Sequence, residues 1–412
     1  MTPTIAVLAT LDTKGPEAAY IRDRLTDAGL QPLVIDCGIL GDPLDIVPDV
    51  SNEDVARHGG SSIVELRTAG TRGRAVAAMR TMLSDLVEQL YSDGQLHGAI
   101  GIGGAEGAVM TASALMRLPV GVPKLVISPI ASGRHEFGPL VGTRDMMVMH
   151  SVVDILGLNE IACTVFDNAV AAVAGMIERG RRSSGPDPDT AARTVALTML
   201  GNTTQAIMAA REELATAGFE STVFHSNGVG GPAMEELASE GYFCGVIDFT
   251  TNEVTDPLVG GIHDGGPDRL RIIGELGLPQ VIVPGCIDFA VFEPSRITPE
   301  LAERPSYDHN PEFRLIRMSA EEMVTIAGVF VERLSSARGP VQVAVPTNGL
   351  SIPNTPDGPF WDPDADAGFL EALSGGLRSD IPITTYDHHV NDPEFGRLVA
   401  RLFVAMAQEV KA

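Results

Sequence analysis

The chain has 412 residues, with 54 Asp and Glu against 29 Lys and Arg and a formal net charge of −25. At roughly 100–200 residues per domain this length predicts two or three domains with ample buried core. The acidity excludes a general nucleic-acid binder and a protein that adsorbs to anionic membranes, both of which need a cationic face.

Residues 1–190 hold 15 basic and 23 acidic side chains, whereas residues 191–412 hold 14 and 31. An anionic ligand is therefore expected in the first half. Cys37, Cys163, Cys244 and Cys286 lie far apart without a CxxC pair, as expected for reduced, buried thiols of a cytoplasmic protein. The start, Met-Thr-Pro-Thr, lacks the basic and apolar regions of a signal peptide. No apolar run approaches about 18 residues, so no membrane-spanning helix is expected.

Short apolar runs alternate with longer helical ones. Thr4–Ala9 predicts a strand, LDTKG a polar loop, Pro16–Ala28 a helix and Pro32–Cys37 a strand. A long polar insert leads to a helix over Arg72–Tyr91, then a strand at Gly98–Ile102, a helix at Ala105–Met116 and a strand at Lys124–Ser128. Residues 159–180 read as one helix. The Ser-, Gly-, Pro- and Asp-rich stretch Arg181–Ala192 breaks the pattern and places a boundary between domains 1–185 and 193–412. Strands then follow at Thr194–Leu200, Glu220–His225, Cys244–Phe249, Gln280–Val283, Val341–Pro346 and Ile383–Tyr386. Helices are expected at Asn202–Ala217 and Ala233–Glu240. The last helix, about Asp392–Lys411, is of the kind that crosses back to the first domain in two-domain α/β proteins. Runs apolar throughout suit parallel strands covered on both faces. The class is α/β: two Rossmann-like, doubly wound subdomains with mainly parallel sheets and an interdomain cleft.

Ligands of such sheets sit beyond the carboxyl ends of the strands. Three loops of the first half qualify. Thr10–Gly15, with Asp12, Thr13 and Lys14, precedes Pro16, which suits the opening of a helix that attracts phosphate. Gly101–Gly107 (GIGGAEG) has GxGxxxG spacing, which disfavours a nicotinamide dinucleotide but leaves room for close approach of a phosphate or sugar. Ser128–Arg134 and Gly142–Asp145 add hydroxyls and two arginines. Capped helix starts, tight helix packing and solvated arginines explain the same residues without a ligand. A second glycine loop, Gly228–Gly231, echoes the first. In the second half His225, Asp248 and His309 are candidate general acids or bases. No spacing there is a metal signature, and GxxxxGK[ST] and GxSxG are absent.

LATLDTKG, GIGGAEG, LPVGVPKLVISPIASG, VGTRDMMVMHSVVDILGLN, GVGGPAMEELASEG, DFTTNEVTDPLVGG and DHHVNDPEF together resemble the tomato mosaic virus resistance protein-like ATP-binding domain family, over essentially the whole chain. The resemblance implies two α/β subdomains, binding of ATP with Mg²⁺, and self-association as a homodimer. It carries over as nucleotide-site candidates Asp12, Thr13, Lys14 and Gly15, then Gly101, Gly103 and Gly104, then Ser132, Gly133, Gly142 and Thr143. The plant member inhibits viral RNA replication and carries a further barrel domain that this chain is too short to hold. The leading expectation is an ATP-binding protein, as an ATP-dependent enzyme acting on a small molecule in the cleft. A non-catalytic ATP-responsive regulator and a nucleotide-independent enzyme using the His and Asp loops are the alternatives. Glu106, inside the glycine loop, would repel a phosphate if it pointed inward, unless Mg²⁺ lay between them.

Overall fold

The computed structural model describes residues 2–131, 140–180 and 185–411. The chain divides into two compact units, Met1–Ser184 and Gly185–Ala412.

In the first unit β1 (Thr4–Ala9), β2 (Gln31–Asp36), β3 (Gly98–Ile102), β4 (Lys124–Ser128) and β5 (Met147–His150) form one sheet in the order β2-β1-β3-β4-β5. Every pairing is parallel, with Val7 level with Val34 on one side and Ile100 on the other. The two-residue period of β1 splits the core. Ile5, Val7 and Ala9 meet Ile21, Leu25 and Phe166 of the helices Leu11–Asp27 and Glu160–Arg179. Ala6 and Leu8 face the other way, toward Val55, Met79, Leu83 and Leu115. Those four come from the helices Asn52–His58, Arg72–Ser92 and Ala105–Leu115. At about 1.5–3 kcal/mol per large apolar side chain fully buried, this two-sided packing outweighs local propensity in holding the strands. Glu160–Arg179 is, by length and composition, the one helix among the described residues apolar enough to cross a membrane. Here Phe166, Ala169 and Val173 of that helix are buried against the sheet.

The second unit holds β6 (Thr194–Met199), β7 (Glu220–His225), β8 (Gly245–Thr250), β9 (Gln280–Gly285), β10 (Phe289–Phe292), β11 (Ser306–Asp308), β12 (Arg314–Arg317), β13 (Val341–Pro346) and β14 (Ile383–Tyr386). Six form a parallel sheet in the order β14-β13-β9-β8-β6-β7. One face, with Val195, Leu197, Phe249 and Val283, is covered by the helices Thr204–Thr216 and Pro393–Lys411. Part of the other face, with Ile282, Val343 and Val345, lies under Ala320–Leu334 and Pro363–Gly376. Phe330 and Phe369 of those two helices meet edge to face, with ring centres 5.5 Å apart. In both sheets the first strand lies between the second and the third, which creates a switch point at the carboxyl ends.

The fold is the expected α/β class with two parallel sheets, and besides elements that the sequence reading left out, such as β5 and the helices Ala320–Leu334 and Pro363–Gly376, four departures from it stand out. Helix Leu11–Asp27 starts five residues early, so LDTKG is helical apart from Lys14 at φ −125°, ψ 22°. The polar insert contains the short helices Asn52–His58 and Ile63–Arg67, each started by a serine whose hydroxyl accepts a main-chain N–H. The final helix stays with its own unit, where Phe395, Val399 and Phe403 pack on Ala206 and Ile207. Strands β10, β12 and β11 form a separate antiparallel sheet.

Candidate functional site

At the carboxyl ends of β1, β2 and β3 the first unit has a cavity of about 580 Å³. One wall is the start of helix Ala105–Leu115. Its N-terminal flanking residue is Gly104, which has no side chain to cap it. The N–H groups of Ala105, Glu106 and Gly107 have no partner among the described residues, and all three residues line the cavity. Asp12, Thr13 and Lys14 form a second wall, and Lys14 Nζ is held by the carbonyl of Ile155. The polar insert supplies the third, with Arg67, Thr68, Thr71 and Arg72. Arg67 donates to the carbonyl of Ile39 at 2.6 Å, and Arg72 is ion-paired with Glu106. The pair sets the Glu106 charge against a cation of the third wall, which offsets its repulsion of a phosphate. Ile39, Leu66, Val76 and Met110 make the remaining surface apolar.

The helix start at Leu11 is less open. Leu11 N–H donates to Asp36 Oδ1 at 3.0 Å, and Gly38 N–H donates to the same oxygen at 2.8 Å. Asp36 is fully buried and its Oδ2 has no partner. Burial pushes its pKa up to about 6, against the two N–H donors, with Asp12 adding a smaller push. Asp12 in turn accepts the Gly41 N–H at 3.1 Å.

Asp12, Thr13, Lys14 and Gly104 are thus brought together in one cavity. Gly15, Gly101 and Gly103 are not in its lining. A Cβ on Gly15 would lie 1.8 Å from the Leu44 carbonyl oxygen, one on Gly101 2.5 Å from the Thr111 hydroxyl, and one on Gly103 2.5 Å from the main chain of Gly107. These three glycines serve close packing. Gly142, at φ +57° beside Met116, and Thr143 are also outside the lining. Ser132 and Gly133 fall outside the described residues. Arg67 and Arg72 are the cavity cations that sequence reasoning missed. Their signal was the run Arg67–Arg74, where three arginines and two glycines interrupt the polar insert.

The second unit treats its glycine loop differently. Glu253 Oε1 accepts the N–H groups of Gly228 and Gly231 at 2.9 and 3.1 Å, so the start of helix Gly230–Ser239 already holds a carboxylate. Glu253 Oε2 accepts Arg269 Nε at 2.7 Å. A Cβ on Gly231 would lie 1.9 Å from that carboxylate. Arg269, fully buried, also grips Asp248 through both terminal nitrogens at 2.5 and 2.7 Å, and reaches Glu235 at 3.4 Å. Burial works against the Arg269 charge, but Asp248 and Glu253 outweigh it and hold its pKa well above the ordinary value. Burial lifts Glu235 to about 7 despite Arg269. Asp248, also bonded to the Thr198 hydroxyl at 2.7 Å, is therefore an internal counter-ion and lines neither cavity described here.

His225 and His309 do meet, in a cavity of about 360 Å³ beyond β6 and β7. Its lining adds His263, Asn202, Asn227 and Asn310, with Phe289 and Phe313 from the strands and hairpin of the antiparallel sheet. His263 was not singled out from sequence because it follows no strand. No cluster of three or more His, Cys, Asp or Glu able to hold a metal occurs among the described residues.

Comparison with known proteins places both units. Residues 3–182 match the N-terminal domain and residues 192–407 the C-terminal domain of the uncharacterised protein family UPF0261. A UPF0261 protein of Clostridium tetani is 34% identical over 99% of this chain and 100% of its own. One of Mesorhizobium japonicum is 35% identical over 96% of this chain and 97% of its own. The ToMV resistance protein Tm-1(GCR237) of Solanum lycopersicum is 36% identical over 82% of this chain, which corresponds to 45% of the tomato protein. The chain belongs to the UPF0261 family, in which bacterial proteins of the same length stand beside the longer tomato proteins.

Proposed function

We propose that the N-terminal unit binds ATP with Mg²⁺ in the cavity at the carboxyl ends of β1, β2 and β3. The observation that carries this reading is the uncapped start of helix Ala105–Leu115, whose first three N–H groups have no partner among the described residues and belong to residues lining a cavity also lined by Lys14. Such a helix start carries partial positive charge and favours phosphate oxygens. Thr10 and Thr13 add hydroxyl oxygens, bonded to each other at 3.0 Å, and Arg72 adds a cation. The apolar surface of Ile39, Leu66, Val76 and Met110 suits a purine base. Mg²⁺ bound with a nucleotide takes phosphate oxygens, waters and one or two carboxylates. Asp12 and Glu106 are the carboxylates in this lining. The family resemblance implies the same ligand, and the Glu253 carboxylate makes the second glycine loop unsuitable for it.

Within this cavity Asp12 is engaged by Gly41, Glu106 by Arg72, and the described lining residues include no histidine. That arrangement favours holding ATP over hydrolysing it, and so an ATP-responsive regulatory role. An ATP-dependent reaction on a small molecule is the second reading, favoured by the three histidines of the C-terminal cavity. Thermal unfolding of the full chain with Mg-ATP, Mg-ADP and AMP tests the ligand. ATP at about 100 times its Kd stabilises the folded state by about 2.7 kcal/mol. AMP is expected to give a much smaller shift at the same concentration. Equal shifts with all three, or none, would refute phosphate recognition. Release of ADP or AMP in the presence of a metabolite pool would favour the second reading.

A further inference from the structure

Three asparagines around the C-terminal cavity are held by their oxygens. Asn202 Oδ1 accepts the Ile352 N–H at 3.0 Å, and Asn227 Oδ1 accepts the Val229 N–H at 3.3 Å. Asn310 Oδ1 accepts the N–H groups of Glu312 and Phe313 at 2.9 and 2.8 Å. These bonds fix the orientation of each carboxamide and leave its Nδ2 without a partner among the described residues. Asn202 is 6% exposed, so this donor is built into the wall. His263 extends the pattern. Asn252 Nδ2 donates to its Nδ1 at 3.1 Å, which places the proton of the neutral ring on Nε2. Burial, with His225 and His309 adding to it, pushes the pKa of His263 down to about 4, so the ring is a neutral donor at pH 7.

The oxygens of the three asparagines are spent on the chain's own backbone, so each carboxamide can offer the cavity only its Nδ2 donors, and the imidazoles of His225 and His309 add to the lining. Among the described residues the lining contains no lysine, no arginine and no carboxylate. Opposite the donors lie Ile262, Phe289, Phe313 and Leu315. A polyol or sugar needs an acceptor beside each hydroxyl, and the asparagine oxygens are already taken. A polyphosphate needs cations. A single carboxylate needs only convergent neutral donors, and an apolar body would cover the phenylalanines.

We propose that this cavity is a second ligand site, separate from the nucleotide cavity, that takes a small monocarboxylate with an apolar body. Its carboxylate oxygens accept from the Nδ2 groups of Asn202, Asn227 and Asn310 and from His263 Nε2, and its apolar body lies on Phe289 and Phe313.

The test is calorimetric titration of the full chain with acetate, isovalerate and benzoate, with benzamide, glucose and inorganic phosphate as contrasts. Benzoate is expected to bind more tightly than acetate, and at least about tenfold more tightly than benzamide. Asn202→Asp keeps the oxygen that accepts from Ile352 but replaces the donor with a negative oxygen. It is expected to lower benzoate affinity by about tenfold or more, with a lower thermal midpoint at pH 7 because the new carboxylate is buried, and with one cooperative unfolding transition retained. Asn310→Asp applies the same exchange on the exposed hairpin, where folding is least at risk, and is expected to weaken benzoate in the same direction. Absence of carboxylate binding overturns the proposal. So does benzamide, glucose or phosphate binding as tightly as benzoate, or wild-type affinity in both folded variants.

Discussion

Replacing Arg269 by Met removes the counter-charge of three buried carboxyl groups while keeping much of the side-chain volume. Asp248 and Glu253 hold four of their contacts through this guanidinium or the loop it braces, and neither is more than 1% exposed. Without it, at least one of the two must enter the folded state neutral. Protonating a carboxyl whose unfolded pKa is about 4 costs about 1.36 kcal/mol per pH unit, hence about 4 kcal/mol at pH 7 and about 1.4 kcal/mol at pH 5. The first figure agrees with the roughly 3–5 kcal/mol lost when one partner of a buried ion pair is removed. The sign follows from proton counting. In the variant the folded state binds more protons than the unfolded state, so stability falls as pH rises through the raised folded pKa. Trp361 is the single tryptophan and lies in the second unit, so its fluorescence during urea unfolding reports that unit alone. The expected result is a loss of about 4 kcal/mol at pH 7 that shrinks by more than half at pH 5. A loss below about 1 kcal/mol, or one of equal size at both pH values, would refute the reasoning.

Asp36→Asn keeps the acceptor for Leu11 and Gly38 and removes a buried charge. Because the folded pKa of Asp36 is raised to about 6, its cost to the wild type is absent below the unfolded pKa and fully developed above pH 6. The variant should gain about 3 kcal/mol over wild type at pH 8 and nothing near pH 3.5, read by circular dichroism of unfolding. Gly15→Ala drives a Cβ to 1.8 Å from the Leu44 carbonyl and should destabilise the first unit by about 1–3 kcal/mol in the same assay. A midpoint unchanged from wild type would show that the chain after Gly38 yields freely. Gly107→Asp adds a carboxylate in the first turn of helix Ala105–Leu115, where a Cβ meets nothing closer than 3.9 Å. Its thermal midpoint should stay level or rise, by up to about 1 kcal/mol of stability.

The α/β class was legible because strands such as β3, β4, β8 and β9 carry short apolar runs and are buried throughout. β5 and β11 were not, because each is short and neither is fully buried; β5 is half-buried throughout and β11 exposed throughout. Pro16 pointed to a helix start beside it. The true start is Leu11, and the missing proline N–H is absorbed next to the irregular Lys14. The strand-end rule found both His225 and Asp248. It does not say which face a side chain takes, and Asp248 turns inward to Arg269 while His225 lines a cavity. The two glycine loops look alike in sequence, and the difference between them lies in Glu253, more than twenty residues away. Two of the three cations among the described residues lining the first unit's cavity, Arg67 and Arg72, come from an insert whose polarity resembled an ordinary loop.

A chain of net charge −25 that binds ATP must do so through a few fixed donors. Titration calorimetry of Mg-ATP into the wild type and Gly107→Asp, side by side, isolates them. The account predicts saturable binding to the wild type and a loss of at least about tenfold in the variant, with the fold intact. Equal affinity in the two proteins, or no binding to the wild type, would contradict it.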